Sequence, residues 1–396
     1  MAPGRDDRLS GAVGPGIVSR LRRAALIGEL TSHRVLHVDS GRGWRGGQRQ
    51  VYLLASGMKA RGYETAIVAP GDSPLIEKAR AHGLATFALP LRGDLDVSSA
   101  LAIRKIIAHW KPDVVHAHDA HAHGVSLLAL LGKKSPALIV ARRVTFPPKN
   151  ARWKYGKRVG RFIAISAAVR QSLLAAGIED SRISVVHSGV QMPPKIKPRD
   201  WRAQRGWPKA SVICGVVGAM TAEKGLADLD AIAGHLPDDV FRSVRIVLIG
   251  GTDAGATTCG GVEAFRAGFL PEVEEAIAGL DILWHPSRSE GLGTVVIDAM
   301  ALGVPPVTFA VGGLPELVEE GISGRLIKPG DISGFARASA SLIRDPALRR
   351  RLAEGAGRRA RAFTDDLMTE RTLAVYDDVA QGSIKSAESS ILHVTT

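Results

Sequence analysis

Short apolar segments with strand-like patterning alternate with amphipathic ones along nearly the whole chain, and that alternation leaves few folds open. The first run opens on "HRVLHVDS", crosses a Gly-rich loop, and continues into an amphipathic stretch from Gln48 to Arg61 and a second strand, "ETAIVAP". This is a βαβ unit, and similar units follow as far as "RISVVHSGV". The segment "QMPPKIKPRD" then interrupts the pattern with adjacent prolines and polar residues, the marks of a linker. A second run starts at "ASVICGVVGAM" and passes through "VRIVLIGG", "DILWHP" and "PPVTFA" to a helical C-terminus. Strands taking turns with helices imply doubly wound parallel sheets, so the chain reads as two α/β domains in series.

The expected organisation is a mobile extension over 1–32, a first domain over 33–190 and a linker over 191–200. A second domain follows over 201–365, then a helix over 366–381 that can pack back on the first domain, and a disordered tail over 382–396. At 45% hydrophobic and 23% charged residues the chain can bury two cores. Cys214 and Cys259 are too few for a disulfide framework or a zinc site and are read as reduced thiols of a cytoplasmic protein. No apolar run is long enough to span a bilayer, and the apolar piece near Ile27 is too short for a signal peptide.

The net charge of +13 is unevenly spread: residues 1–200 carry +18 and residues 201–396 carry −5. Arg142, Arg143, Lys149, Arg152, Lys154, Lys157, Arg158 and Arg161 crowd one stretch that also holds Trp153 and Tyr155. A basic patch with interleaved aromatics suits an anionic membrane surface, with peripheral attachment on the cytoplasmic face. A solvated basic face, or one that steers an anionic substrate, is the plainer reading.

Two doubly wound domains in series enclose a cleft, and ligands bind at the carboxyl ends of such strands. On the first side Gly46 and Gly47 stand between a strand and a helix, where backbone N–H groups can approach an anion. Such a pair is equally at home in a tight turn. The chain has no G-x-G-x-x-G after the first strand and no phosphate-binding G-x-x-x-x-G-K-S/T, which disfavours a nicotinamide dehydrogenase and a P-loop enzyme. Four histidines follow in "HAHDAHAH"; no carboxylate or cysteine set completes a metal site, and His118 reads better as a hydrogen-bonding group at the cleft. On the second side Gly218 ends a strand and Lys224 precedes Gly225, an arrangement that suits a phosphate clamp and also an ordinary surface lysine.

The stretch "SRSEGLGTVVIDAMALG" carries the strongest signal. Glu290 sits in the loop after "DILWHP", and a helix starting at Thr294 puts Asp298 one turn in, among Val295, Val296, Ile297, Ala299 and Met300. An acid among such neighbours needs a partner. Two carboxylates flanking a helix N-terminus can accept from sugar hydroxyls while the helix faces a phosphate.

With these pieces together, the chain resembles the retaining, nucleotide-sugar-dependent family 4 glycosyltransferases of the GT-B fold. The matching segments are "WRGGQRQV", "DVVHAHDAHAHG", "RFIAISAAVRQSLLAAG", "VVGAMTAEKG", "VRIVLIGG" and, most specifically, "PSRSEGLGTVVIDAMALGVPPVTFAVGGLPELVEEGISGRLIKPGD". The resemblance implies two Rossmann-like domains facing a central cleft. His118, Lys224 and Glu290 would be catalytic, with His118 on the transferred sugar, Lys224 on the diphosphate and Glu290 on sugar hydroxyls. Gly46, Gly47, Gly218, Gly291, Leu292, Gly293, Thr294 and Asp298 would bind the donor, Asp298 through the ribose diol. The family's E-x7-E pair ends here in aspartate, and the arginine often found in its "VGR" turn is Ala219, leaving Arg45 and Arg288 as candidate helpers on the phosphates.

The implied reaction is front-face displacement of a nucleoside diphosphate with retention, without cofactor or metal. It would move a hexose-type sugar to a glycan or lipid-linked acceptor, as in cell-envelope polysaccharide or lipopolysaccharide synthesis, with no nucleic-acid partner. A GT-B-like nucleotide-sugar epimerase and a non-enzymatic basic binding module are the alternatives; the second leaves Glu290 and Asp298 unexplained.

Overall fold

The computed structural model describes residues 33–147, 154–193 and 196–392, with side chains as far as residue 380. The expected N-terminal extension, together with Lys149, Arg152 and Trp153, lies outside the described residues.

The first lobe has seven strands, β1 (Arg34–Val38), β2 (Glu64–Ala69), β3 (Ala85–Ala88), β4 (Val114–Ala117), β5 (Ala137–Arg142), β6 (Val159–Ala164) and β7 (Ile183–Val185). All pair in parallel, in the order β3-β2-β1-β4-β5-β6-β7. The connections are α1 (Gly46–Ala60), α2 (Pro74–Ala81), α3 (Val97–Trp110), α4 (Ala120–Ala129) and α5 (Ala167–Ala175). Side-chain caps fix several starts: Asp96 accepts from Ser99 N, Asp119 from His121 N and Ala122 N, and Ser166 from Val169 N.

The second lobe repeats the plan with β8 (Val212–Val217), β9 (Val244–Ile249), β10 (Ala254–Cys259), β11 (Val262–Gly268), β12 (Ile282–His285), β13 (Pro306–Phe309) and β14 (Arg325–Ile327). Its order is β10-β11-β9-β8-β12-β13-β14. The helices are α6 (Trp201–Arg205), α7 (Leu229–Gly234), α8 (Asp238–Phe241), α9 (Val273–Ala278), α10 (Thr294–Ala301), α11 (Leu314–Leu317), α12 (Ile332–Arg344) and α13 (Pro346–Ala360). Where the sequence shows only a short segment without a helix after Gly251, β10 and β11 form an antiparallel hairpin that extends the sheet edge.

In each sheet the strand order reverses direction beside the first strand, at β1/β4 and at β8/β12, and this switch point opens a crevice at the carboxyl ends. Strands β4, β8 and β12 are buried along their length, as strands covered by helices on both faces must be.

The last helix, α14 (Asp365–Leu392), leaves the second lobe and packs on the first. Met368, Leu373, Tyr376 and Val379 join Val35, Leu53, Leu54 and Met58 in one buried cluster. The helix continues past residue 381, so part of the expected disordered tail is helical; residues 393–396 lie outside the described residues. Where the chain crosses back, Val190 N donates to Phe363 O at 2.9 Å and Asp365 N to Val190 O at 3.0 Å.

Candidate active site at the interlobe cleft

Loops from both switch points meet. On the first lobe, β1 ends at Val38 and Asp39 follows, accepting from Gly41 N at 2.9 Å and Gln48 Nε2 at 3.0 Å. Burial and the nearby Asp119 charge raise the Asp39 carboxyl to about 6, against the pull of Gln48, Gly41 and Arg143. Asp119 accepts from both the N–H and the hydroxyl of Ser40 at 2.6 Å, so the ends of β1 and β4 are tied together.

His118 is not an open rim residue. It is 2% exposed and belongs to a buried trio with His37 and His116, which are neighbours across β1 and β4. Arg143 Nη2 lies 3.4 Å from His118 Nδ1, and His118 Nε2 lies 3.0 Å from His37 Nδ1. With the arginine as donor, His118 carries its proton on Nε2 and passes a hydrogen bond to His37. His116 Nδ1 meets the Tyr376 hydroxyl at 2.6 Å, so α14 reaches into this cluster. Burial pushes all three imidazoles well below their ordinary pKa, His37 to about 3, and they are neutral at physiological pH.

One nitrogen from each of His37, His116 and His118 lies within 4.8 Å of the others, a grouping that could hold a metal ion. The Arg143 cation beside His118 works against a second positive charge there, and the direct His37–His118 contact already uses two of the nitrogens.

Arg143 is the residue that sequence reasoning placed wrongly. Assigned to a basic surface patch, it is instead half-buried at the meeting point of the lobes, reaching His118 and Ser188. Burial lowers its pKa to about 10 against the opposing charges of Asp39 and Asp119. A Cβ on Gly47 would lie 3.9 Å from its Cδ, and a Cβ on Gly291 only 2.1 Å from its carbonyl oxygen. Only glycine therefore fits at 291.

The rest of that patch dissolves in the same way. Arg142 is 8% exposed and donates to Phe146 O and the Tyr155 hydroxyl. Lys154, 5% exposed, is ion-paired with Asp94. Arg158 donates to Pro136 O, and Arg161 pairs with Asp378 of α14. Tyr155 is buried and stacked on Phe162. Of the eight basic residues, Lys157 is exposed, and Lys149 and Arg152 lie outside the described residues. Charges that cluster along the chain are here drawn inward by carbonyls and acids that other elements supply.

On the second lobe, Gly218 closes β8 at φ 134°. Lys224 follows on a 3-10 turn (Ala222–Lys224), with α7 starting only at Leu229, so no α-helix N-terminus stands directly behind the lysine. Gly225, at φ 80°, brings this turn against β12: a Cβ there would lie 1.9 Å from Pro286 O.

Lys224 Nζ donates to Glu290 Oε2 at 2.6 Å, and His285 Nε2 contacts the same oxygen at 3.1 Å. Burial alone would raise the Glu290 carboxyl, but the His285 hydrogen bond and the charges of His285 and Lys224 hold it down to about 2. His285, the last residue of β12 and 3% exposed, had no role in the sequence reading. Its only signal is its place five residues before Glu290 at a strand end.

The loop Gly291-Leu292-Gly293 leads into α10 at Thr294, as the sequence implied, and a Cβ on Gly46 would lie 3.2 Å from Thr294 Oγ1. Leu292 is buried at 1% exposure. Asp298 is buried on α10, and its partner is a protein side chain: Arg49 Nη1 of α1 donates to Asp298 Oδ2 at 2.7 Å. The same guanidinium reaches Glu274 at 3.5 Å. Burial raises the Asp298 carboxyl, and Arg49 opposes the rise.

Of the two candidate phosphate helpers, Arg288 is held by both oxygens of Asp228, and Arg45 is exposed at the start of α1. Glu316 of α11 crosses the cleft too, accepting from Ala167 N at 2.9 Å at the start of α5 and meeting His187 Nε2 at 2.8 Å.

Two protein-family models match this chain, and they divide it as the lobes do. Residues 44–192 match the model described as Glycosyltransferase Family 4, and residues 198–359 match Glycosyl transferases group 1. The chain belongs to the family 4 glycosyltransferases.

Among curated proteins, this glycosyltransferase is 28% identical to the sulfoquinovosyl transferase SQD2 of Arabidopsis thaliana over 317 residues, 72% of this chain but 60% of that protein's length. It is also 28% identical to a D-inositol 3-phosphate glycosyltransferase of Mycobacterium tuberculosis over 408 aligned positions, covering 90% of this chain and 83% of that one. Among solved structures, Anabaena Alr3699/HepE in complex with UDP superposes with a TM-score of 0.74 at 19% identity, over 87% of this chain and all of the other. WaaG, described as a glycosyltransferase involved in lipopolysaccharide biosynthesis, gives a TM-score of 0.63 at 17% identity, over 87% of this chain and 99% of that one. The fold of the glycosyltransferase is therefore GT-B, two Rossmann-like lobes facing a cleft.

Proposed function

We propose that this glycosyltransferase moves a hexose-type sugar from a nucleoside-diphosphate sugar to a glycan or lipid-linked acceptor, with retention at the anomeric carbon and without a metal. The observation that carries the reading is the Lys224–Glu290–His285 cluster at the carboxyl end of β12, across from Gly46 and Gly47, the first residues of α1 in the other lobe. Lys224, held by Glu290, is the compact cation assigned to the leaving diphosphate. The N–H groups at the starts of α1 and α10 add donors of fixed direction, and stabilisation of leaving-group charge is the dominant catalytic term in such a site.

Retention is supported by the state of the acids. Asp39, Asp119, Glu290 and Asp298 are each engaged by protein donors or cations, which leaves the departing phosphate as the natural acceptor of the incoming hydroxyl's proton. His118 is assigned to a sugar hydroxyl, which would have to displace Arg143 from its Nδ1 or His37 from its Nε2. Asp298 is assigned to the ribose, which would share it with Arg49 or displace that residue.

A cell-envelope role on the cytoplasmic face is proposed by analogy with WaaG, described as involved in lipopolysaccharide biosynthesis. No helix among the described residues is long and apolar enough to cross a membrane. Incubation with UDP-, GDP- and ADP-sugars, following nucleoside diphosphate release and the anomeric configuration of the product, tests the proposal. Interconversion of free nucleotide sugars without release would make the enzyme an epimerase instead.

A further inference from the structure

Four large apolar side chains of the first lobe stand in solvent on one edge: Leu95 at 71% exposure, Val97 at 61%, Leu101 at 57% and Leu131 at 62%. Val97 and Leu101 are one turn apart on α3 and share a face. Leu131 follows α4, and Arg104 Nη1 donates to its carbonyl at 2.9 Å, so this turn lies alongside α3. Exposed apolar residues are ordinary singly; gathered on one edge they mark a contact surface.

The surrounding charges say what it contacts. Helix α3 holds no acidic residue. The nearest acids already have partners, Asp96 as the cap of α3 and Asp94 in an ion pair with Lys154 and a hydrogen bond with His121. Exposed or half-exposed cations flank the apolar edge, Arg92 and Lys105 on one side and Lys133 and Lys134 on the other. We propose that this edge is where the enzyme docks on an anionic lipid bilayer, the apolar residues entering the interface and the lysines facing headgroups. A second copy of the chain fits less well, because a two-fold contact would set these cations against their own images.

The location adds a consequence for the acceptor. The His121–Asp94 contact at 2.8 Å ties the loop bearing Leu95 to the start of α4, three residues after His118. The docking edge thus begins beside the first-lobe wall of the cleft, and a lipid-borne acceptor would be presented there. That consequence rests on the function proposed above; the docking itself does not.

Sedimentation with vesicles of phosphatidylcholine, alone or mixed with phosphatidylglycerol, tests the surface. The protein should pellet with the mixed vesicles and stay free of the neutral ones. Leu101→Glu/Leu131→Glu should abolish pelleting. Lys105→Glu/Lys133→Glu/Lys134→Glu should weaken it by at least about tenfold, since each charge near an anionic leaflet is worth roughly fivefold. Both variants should keep the wild-type Tm and nucleoside diphosphate binding, because neither touches a core or cleft residue. Wild-type protein that ignores the mixed vesicles overturns the proposal, as does a concentration-dependent dimer that Leu101→Glu dissociates. Vesicle binding without donor turnover on any nucleotide sugar would leave the surface standing and remove the functional reading.

Discussion

Arg49 and Asp298 lie 249 residues apart in the chain and meet at 2.7 Å across the two lobes. Neither is open to solvent, with side-chain exposures of 18% and 9%. Removing one partner leaves the other charge buried and unpaired, so Arg49→Met should cost about 3 kcal/mol or more in chemical unfolding. Adding Asp298→Asn should recover much of the loss, as a double-mutant cycle would show. The sign with pH follows from the carboxyl, which burial raises in the fold. Such a group opposes folding least below its unfolded value of about 3.9 and most as pH rises past its folded value. The Arg49→Met deficit should therefore shrink in acid.

Lys224→Ala should lower turnover by roughly 10²–10³, the scale of losing one preorganised electrostatic group, while the nucleoside diphosphate still binds. Glu290→Gln should impair sugar transfer and keep nucleoside diphosphate affinity. Asp298→Ala should weaken the nucleoside diphosphate itself by about 1.5–3 kcal/mol, the scale of a hydrogen bond to a charged group. Calorimetry with UDP, GDP and ADP separates these roles, and wild-type affinity in Asp298→Ala would confine that acid to its pairing with Arg49.

Acid should unfold the protein in two distinguishable ways. His37, His116 and His118 have pKa values depressed by burial, so their contribution is present above the unfolded value of about 6.5 and is lost as pH falls. Each one unprotonated in the fold adds a slope of about 1.4 kcal/mol per pH unit. Glu290, held down to about 2, contributes above its unfolded value and fades below it. Stability curves from pH 7 to pH 3 should lose one histidine's slope in His37→Asn and only the lowest-pH part in Glu290→Gln.

Arg143 is enclosed by Asp39, Asp119 and His118. Arg143→Met should cost about 3 kcal/mol by stranding the buried Asp39, and should raise the Asp39 carboxyl above its present value of about 6. Arg143→Lys should keep most of the stability yet lose turnover, because one ammonium cannot span both His118 and Ser188. Thermal unfolding and donor turnover measured side by side check both statements.

The two sheets were legible because each strand carries its own apolar signature, whatever it packs against. The glutamate loop was legible because Glu290 and Thr294 act within one strand–loop–helix unit. What stayed hidden was pairing at a distance. His285 looks like any polar residue ending a strand, and Arg49 like any exposed position on a helix, until the opposite lobe is in place. The basic stretch from Arg142 to Arg161 misled because proximity along the chain was taken for proximity on a surface. The β10–β11 hairpin left a trace in "CGGVEAF", where Gly260 and Gly261, both at positive φ, make the turn.

The parallel hydrogen bonds joining Val190 to Phe363 and Asp365 bring the outgoing and returning crossings of the chain side by side. In topological terms the second lobe is an insertion whose two ends touch, held within a first lobe that α14 completes. The doorway has two posts and one lintel, and any opening of the cleft must turn about it. Swapping such an insert for that of a relative would exchange the whole second lobe while the first kept both its first strand and its closing helix.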